Sequence, residues 1–310
     1  MKILVLGAGG TGGYFGGRLH EAGADVTFLV REKRAQQIAA HGLQIESPKG
    51  RIALQVKTVL AQDVKAEVDI VIMSCKAYDL ASSIDAIRPA MGAATCVVPL
   101  LNGMSHLDSL DAAFGASHVM GGFCQIAATL TKDGVVKSML DVHAITWGAR
   151  EPAQQEAANA LGVAFANTIV DWKVSENIIL EMWEKIVFLC TLAAMTCLMR
   201  ATVGEILATK DGKALMKRQL DSCIAIAVHS GYAPRPHTLA RYETVINTAG
   251  SPLTASMLRD LESGGAVEAD HVVGFMLGKA REFGIDDTML SVAYAHLKAY
   301  ENRRAGNRLG

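Results

Sequence analysis

Long hydrophobic runs, an excess of one charge and paired cysteines are all missing from these 310 residues. Formal charge sums to −1 and no long basic run stands out, which argues against nucleic acid or an anionic membrane as the main partner. The most apolar stretch, Ile186 to Met199, is only about 14 residues and contains threonines, so it suits a buried helix rather than a membrane span. The six cysteines (75, 96, 124, 190, 197 and 223) form no C-x-x-C pair and no metal-ligand spacing. No metal is expected; they read as small buried hydrophobes in a reducing cytoplasm. Repeats, low-complexity segments and a signal-peptide layout are absent too. What remains is half hydrophobic and a fifth charged, enough for a sizeable packed core and up to two domains.

The most informative stretch is the first. Met1 to Leu6 is a short apolar run, followed at once by Gly7-Ala8-Gly9-Gly10-Thr11-Gly12-Gly13 and a helical pattern from Tyr14 to Glu21. Strand, glycine turn and helix in that order are the setting in which G-x-G-x-x-G speaks for a dinucleotide. Gly7 permits the tight turn, Gly9 lets backbone approach a pyrophosphate, and Gly12 lets helix and strand pack closely. The N–H groups of the new helix, opening through Gly10 and Thr11, then face the phosphates. A second strand, Ala24 to Val30, ends in Arg31, with Lys33 and Arg34 close behind. NAD sites usually place a carboxylate there to hold the ribose 2′-hydroxyl. The cationic cluster favours a 2′-phosphate instead, and hence NADP. Lys33 and Arg34 are equally explained as a solvated helix start.

Further along, Ile45 to Val56 reads as a hairpin around Ser47-Pro48-Lys49-Gly50. Buried strands Val68 to Met73 and Thr95 to Leu101 run into Lys76 and Asn102, the strand ends where such sheets bind ligands. Asn102 precedes a glycine and is as readily an ordinary turn residue. From His118 to Ala149 the pattern predicts antiparallel strands added to the parallel sheet. A helix at Ala153 to Phe165 and a last strand at Thr168 to Trp172 follow. Beyond Ser175 only helices are expected, among them Ile178 to Met199 and Asp211 to Ser230. Lys185 in the first of these stands four residues after Glu181, a surface pair by spacing. Its neighbours Trp183, Ile186 and Val187 are apolar, which leaves a place in an interdomain cleft open. A helix from Pro252 with Ser251 as N-cap, and another from Ala266 with Glu268 in its first turn, complete the chain.

Several blocks together resemble the ketopantoate reductase (2-dehydropantoate 2-reductase) family over nearly the whole length. They are G-A-G-G-T-G-G-Y at 7–14, Arg31, C-K-A-Y at 75–78, L-N-G-M at 101–104, M-W-E-K at 182–185, and S-M-L-R-D-L-E at 256–262 followed by Glu268. The resemblance implies an α/β fold: a Rossmann-type doubly wound domain at 1–174 and an all-helical domain at 175–310, with the active site in the cleft between them. It implies NADPH-dependent reduction of ketopantoate to pantoate, a step of pantothenate biosynthesis, in the cytoplasm. Arg31 would bind the 2′-phosphate, and Lys76 and Asn102 would lie along the nicotinamide and substrate. Lys185 would protonate the reduced ketone oxygen, Ser256 would hold the substrate carboxylate, and Glu268 would anchor a substrate hydroxyl and position the lysine. The partner is a small 2-oxo acid, and a homodimer is compatible with the sequence.

Two departures bear on the substrate. The family usually reads K-x-x-x-N-x-x-x-N in the catalytic helix, and Leu189 and Ala193 occupy the asparagine positions here. It also tends to Asn-Gly where this chain has Val273-Gly274. Three alternatives follow: a reductase of a more apolar 2-oxo acid, a hydroxyacid dehydrogenase of the 6-phosphogluconate or 3-hydroxyisobutyrate type, and a non-catalytic NADP sensor. Leu189 speaks against the second, because those enzymes also rely on Lys-x-x-x-Asn. Retention of Lys76, Asn102, Lys185, Ser256 and Glu268 speaks against the third.

Overall fold

The computed structural model describes residues 1–65 and 67–308. It divides into two compact units: Met1–Leu101 with His106–Ile178, and Asn102–Ser105 with the chain from Ile179 on.

The first unit contains β1 (Lys2–Leu6), α1 (Gly10–Glu21), β2 (Asp25–Leu29), α2 (Glu32–His41), and the hairpin β3 (Leu43–Ser47) and β4 (Gly50–Leu54). β5 (Lys57–Val59), β6 (Ile70–Met73), α3 (Leu80–Ile87), β7 (Cys96–Pro99) and α4 (His106–Phe114) follow. The unit closes with β8 (Gly121–Leu130), β9 (Val135–Gly148), α5 (Gln155–Phe165) and β10 (Asp171–Val174). A parallel sheet runs β5-β2-β1-β6-β7. β6 and β7 are buried throughout and β1 after its first residue, which is why these strands read as unbroken apolar runs. Strand order reverses at β1, so its carboxyl end opens onto the crevice where such sheets take ligands.

The antiparallel strands are not added to this sheet, contrary to expectation. β8 and β9 form one long hairpin in a second sheet of order β10-β9-β3-β4, with β8 on β9. The glycines of α1 give the reason. A side chain at Gly12 or Gly16 would strike Val5 or Phe28 of the parallel sheet, and one at Gly13 or Gly17 would strike Val136 or Ile45 of the second. The helix is thus clamped between two sheets, each reached through a pair of glycines four residues apart. The final strand also begins later than expected, at Asp171. Thr168 Oγ1 first donates to the Phe165 carbonyl (2.8 Å) and accepts from the Val170 N–H (3.2 Å), closing a turn there.

The second unit is helical: α6 (Ile178–Met199), α7 (Val203–Leu207), α8 (Gly212–His229), α9 (Pro236–Ile246), α10 (Ser256–Glu262), α11 (Phe275–Phe283) and α12 (Thr288–Ala305). α6 is apolar almost all round and largely buried. Its Thr191 and Thr196 hydroxyls donate to carbonyls four residues back, at 2.8 and 2.7 Å, so neither is orphaned in the core. Two helix starts differ from the sequence reading. α10 begins at Ser256 with Ala255 as N-cap; Ser251 instead accepts from the Leu253 N–H, and the Ala255 N–H donates to Thr196 Oγ1 at 3.3 Å. Residues 265–268 are not helical, so Glu268 lies just ahead of its helix rather than in its first turn. α12 holds this stretch open, through Tyr300 Oη on the Gly265 carbonyl (2.7 Å) and Arg304 Nε on that of Gly264 (3.0 Å). A π-helical turn at Asp270–Gly274 then leads into α11. No helix among the described residues is long and apolar enough to cross a membrane.

Candidate active site

At the glycine turn the backbone does what its spacing asks. Gly7 has φ +89°, a value that side chains resist, and its N–H donates to the Leu29 carbonyl at 2.9 Å. A Cβ at Gly12 would overlap the Gly7 carbonyl and Ser74 Oγ. Above Gly9 a Cβ would meet nothing within 4 Å, so the turn is open where a phosphate would approach. α1 has no side-chain cap and no acidic residue in its first turn, which includes Gly10 and Thr11. Its initial N–H groups and dipole therefore suit an anion. These residues fit a dinucleotide pyrophosphate.

Arg31 is the N-cap of α2, with its side chain 81% exposed and its guanidinium 3.0 Å from Asp79 Oδ1. Arg34 is neither solvated nor free to join Arg31. Its Nε donates to the Ala8 carbonyl (3.0 Å) and Nη1 to that of Gly134 (2.8 Å), tying the glycine turn to the β8–β9 hairpin. Burial lowers the Arg34 pKa from its ordinary value. Lys76 ends the loop after β6 and caps the short 3₁₀ turn Ala77–Asp79.

In the second unit three residues far apart in sequence meet. Lys185 Nζ donates to Asn102 Oδ1 at 3.2 Å, and Asn102 Nδ2 donates to Glu268 Oε2 at 3.3 Å. Only this orientation of the amide sets its acceptor toward the ammonium and its donor toward the carboxylate; a flipped amide would face like against like at both ends. Lys185 is half-buried and Glu268 only 7% exposed. A carboxylate so enclosed requires hydrogen-bond donors, and Asn102 supplies one. The Asn102 segment is itself held. Gly103 has φ +85°, and any Cβ there would overlap the His271 carbonyl; Ser105 Oγ lies 2.9 Å from His271 Nδ1. The π-helical turn that follows Glu268 therefore also clamps the loop bearing Asn102.

The residue before the lysine anchors the helix. The buried Glu184 carboxylate accepts from the Arg235 N–H (2.8 Å) and Nε (2.9 Å), and Tyr242 Oη donates to the Glu184 carbonyl (2.7 Å). Burial alone would raise the Glu184 pKa, but the hydrogen bonds from Arg235 outweigh it and hold the carboxyl below its ordinary value. Trp183 stacks on Tyr232 at 5.6 Å. One turn beyond Lys185, Leu189 is half-buried, and Ala193 is completely enclosed. Ser256 opens α10, beside the Ala255–Thr196 bond to the later turns of α6. The structure thus joins Lys185, Asn102 and Glu268 directly and gives Arg31 an anionic partner. Sequence reasoning missed Asp79, the anchoring pair Glu184–Arg235 and the Gly103–Ser105–His271 clamp. Asp79 directly follows the C-K-A-Y block and Glu184 sits inside M-W-E-K, so both were within reach; the clamp left no local signal.

Comparison with known proteins gives the family. Residues 3–152 match the family model described as ketopantoate reductase PanE/ApbA, and residues 177–301 match that of its C-terminal region. The chain belongs to this family. It is 35% identical over 301 residues to the uncharacterized oxidoreductase YkpB of Bacillus subtilis (strain 168), covering 97% of this chain and 99% of the relative. The fold is shared with D-mandelate dehydrogenase in complex with NADH and anilino(oxo)acetate, at TM-score 0.88 and 22% identity over 98% of this chain and all of that one. A PanE/ApbA family ketopantoate reductase from Ralstonia eutropha JMP134 aligns at TM-score 0.88 and 23% identity, again over 98% and 100%. The protein is therefore an oxidoreductase-family member with an α/β unit built on a parallel sheet and a helical unit.

Proposed function

We propose that this chain reduces a 2-oxo acid to a 2-hydroxy acid with NADPH, ketopantoate to pantoate being the leading substrate, and that Lys185 is the proton donor. The observation that carries the reading is the Lys185–Asn102–Glu268 chain, which aims an ammonium from a half-buried position and fixes it at its base. Gly7, Gly9, Gly10, Thr11, Gly12, Arg31, Lys76 and Asn102 would hold the dinucleotide. When bound, the reduced nicotinamide supplies the hydride. As negative charge builds on the ketone oxygen, the Lys185 ammonium stabilises it by hydrogen bonding and then gives up a proton to it. Asn102 holds the ammonium in place by its carbonyl, and Glu268 holds Asn102. Glu268 and Ser256 would take the substrate hydroxyl and carboxylate.

Leu189 supports a second reading within the same chemistry. It puts an apolar surface one turn from Lys185, and a site without partners for a substrate hydroxyl accepts an apolar side chain as readily. The D-mandelate dehydrogenase of like fold bears in its name a 2-hydroxy acid whose side chain is apolar. A panel of 2-oxo acids assayed by NADPH oxidation tests both readings. Turnover of ketopantoate or 2-oxoisovalerate is expected. Dinucleotide binding without turnover of any 2-oxo acid would remove the enzymatic reading, and ketopantoate ahead by a hundredfold would remove the apolar one.

A further inference from the structure

We propose that Asp79 is a specificity-determining residue for the dinucleotide, acting against the 2′-phosphate that Arg31 attracts. The inference rests on the cofactor reading above and goes beyond it, because that reading gives the discriminating role to Arg31 alone.

The topology places both residues at one end of the parallel sheet. β2 and β6 flank β1 in register, Leu29 and Met73 both opposite Leu6. Arg31 follows β2 by two residues, and Asp79 follows β6 by six. The two side chains, 48 residues apart, meet at 3.0 Å between the loops on either side of the glycine turn. Asp79 is also the N-cap residue of α3, yet its carboxylate makes no capping bond, so the group is committed to Arg31 rather than to the helix. The other charges beside Arg31 do not replace this partner. Glu32 and Lys33 are exposed on the first turn of α2, and Arg34 is directed to the Ala8 and Gly134 carbonyls.

A guanidinium already paired with a carboxylate presents little net charge. A phosphomonoester brings nearly two negative charges of its own, so it must share Arg31 with Asp79 and be repelled by it. A 2′-hydroxyl carries no charge and can donate to the same carboxylate, the arrangement by which many sites hold NAD. Arg31 and Asp79 therefore pull the preference in opposite directions, and Asp79 narrows the margin by which the wild-type protein favours NADPH.

The test is equilibrium binding of NADPH and NADH to the full-length protein, followed by cofactor fluorescence, for wild type, Asp79→Asn and Asp79→Glu. Asp79→Asn should tighten NADPH by about tenfold at low salt and change NADH by less than about threefold, with the gain shrinking as salt screens it. Asp79→Glu keeps the charge and should keep the wild-type ratio, which separates charge from local packing. Unchanged thermal midpoints confirm that both variants fold. If Asp79→Asn shifts both dinucleotides equally, or neither, the proposal is wrong while the cofactor reading stands. If wild type binds neither dinucleotide, both fall.

Discussion

The glycine turn and the Lys185 cluster are both candidate business ends, and they are built in opposite ways. The first is contiguous, made of backbone, and specified within thirteen residues by where a Cβ cannot or need not be. The second is assembled from side chains at positions 102, 185 and 268, and each depends on a neighbour to hold its aim. A backbone site fails when a side chain is added; a side-chain site fails when one is taken away. The same contrast predicts which substitutions will harm binding, which will harm chemistry and which will harm only the fold.

The sharpest break is expected at Lys185. Lys185→Ala should lower kcat by about 10²–10⁴-fold, the usual worth of a general acid, while NADPH affinity measured by fluorescence barely moves. A variant that keeps most of wild-type kcat would leave the lysine a structural residue. The glycine turn should behave conversely. Gly12→Ala forces a Cβ against the Gly7 carbonyl and should cost about 1–3 kcal/mol of stability. Gly9→Ala, with nothing within 4 Å, should leave the thermal midpoint alone and weaken dinucleotide binding. Equal midpoints for both alanine variants would contradict the packing assigned to Gly12.

The Glu184–Arg235 pair sharpens the comparison from the stability side. The Glu184 pKa is held down in the folded protein, so its contribution is present above the ordinary carboxylate range and is lost as pH falls through the folded value. Thermal midpoints should therefore drop below about pH 5, and Glu184→Gln should be less stable at neutral pH by about 1–2 kcal/mol, with a shallower acid limb. Identical acid limbs in the two proteins would show that Arg235 contributes nothing there. The smallest effect is expected at Leu189. Leu189→Asn should raise kcat/KM for ketopantoate relative to 2-oxoisovalerate by about tenfold, within the range that a single added polar partner can give. No change in that ratio would place Leu189 away from the substrate.

The same contrast explains what could be read before the fold was known. The strands β1, β2, β6 and β7, the hairpin (expected at 45–56, found at 43–54) and α6 were legible because each is announced by its own period and by the residues beside it, whereas the three-residue edge strand β5 was not. The second sheet was not, since whether β8 and β9 join the first sheet is decided by the helix between them and not by their own alternation. The starts at Ser256 and after Glu268 were missed for a related reason: Thr196, Tyr300 and Arg304 impose them from elsewhere in the chain. At the site, Lys185, Asn102 and Glu268 were each singled out, but no local pattern said that an amide would join the other two. Asp79 was overlooked because its carboxylate gains a meaning only when Arg31 is seen beside it.

The claim on which the account turns is that Asn102 and Lys185 act as one unit. A double-mutant cycle on kcat, with Lys185→Ala, Asn102→Ala and both together, measures this directly. Asn102→Ala alone should cost up to about 100-fold, as misplacement of a catalytic group can. In the Lys185→Ala background the same change should cost less than about threefold, because nothing remains for the amide to aim. Losses that simply multiply would show that the two residues work independently, and the chain from Lys185 through Asn102 to Glu268 would then be geometry without function.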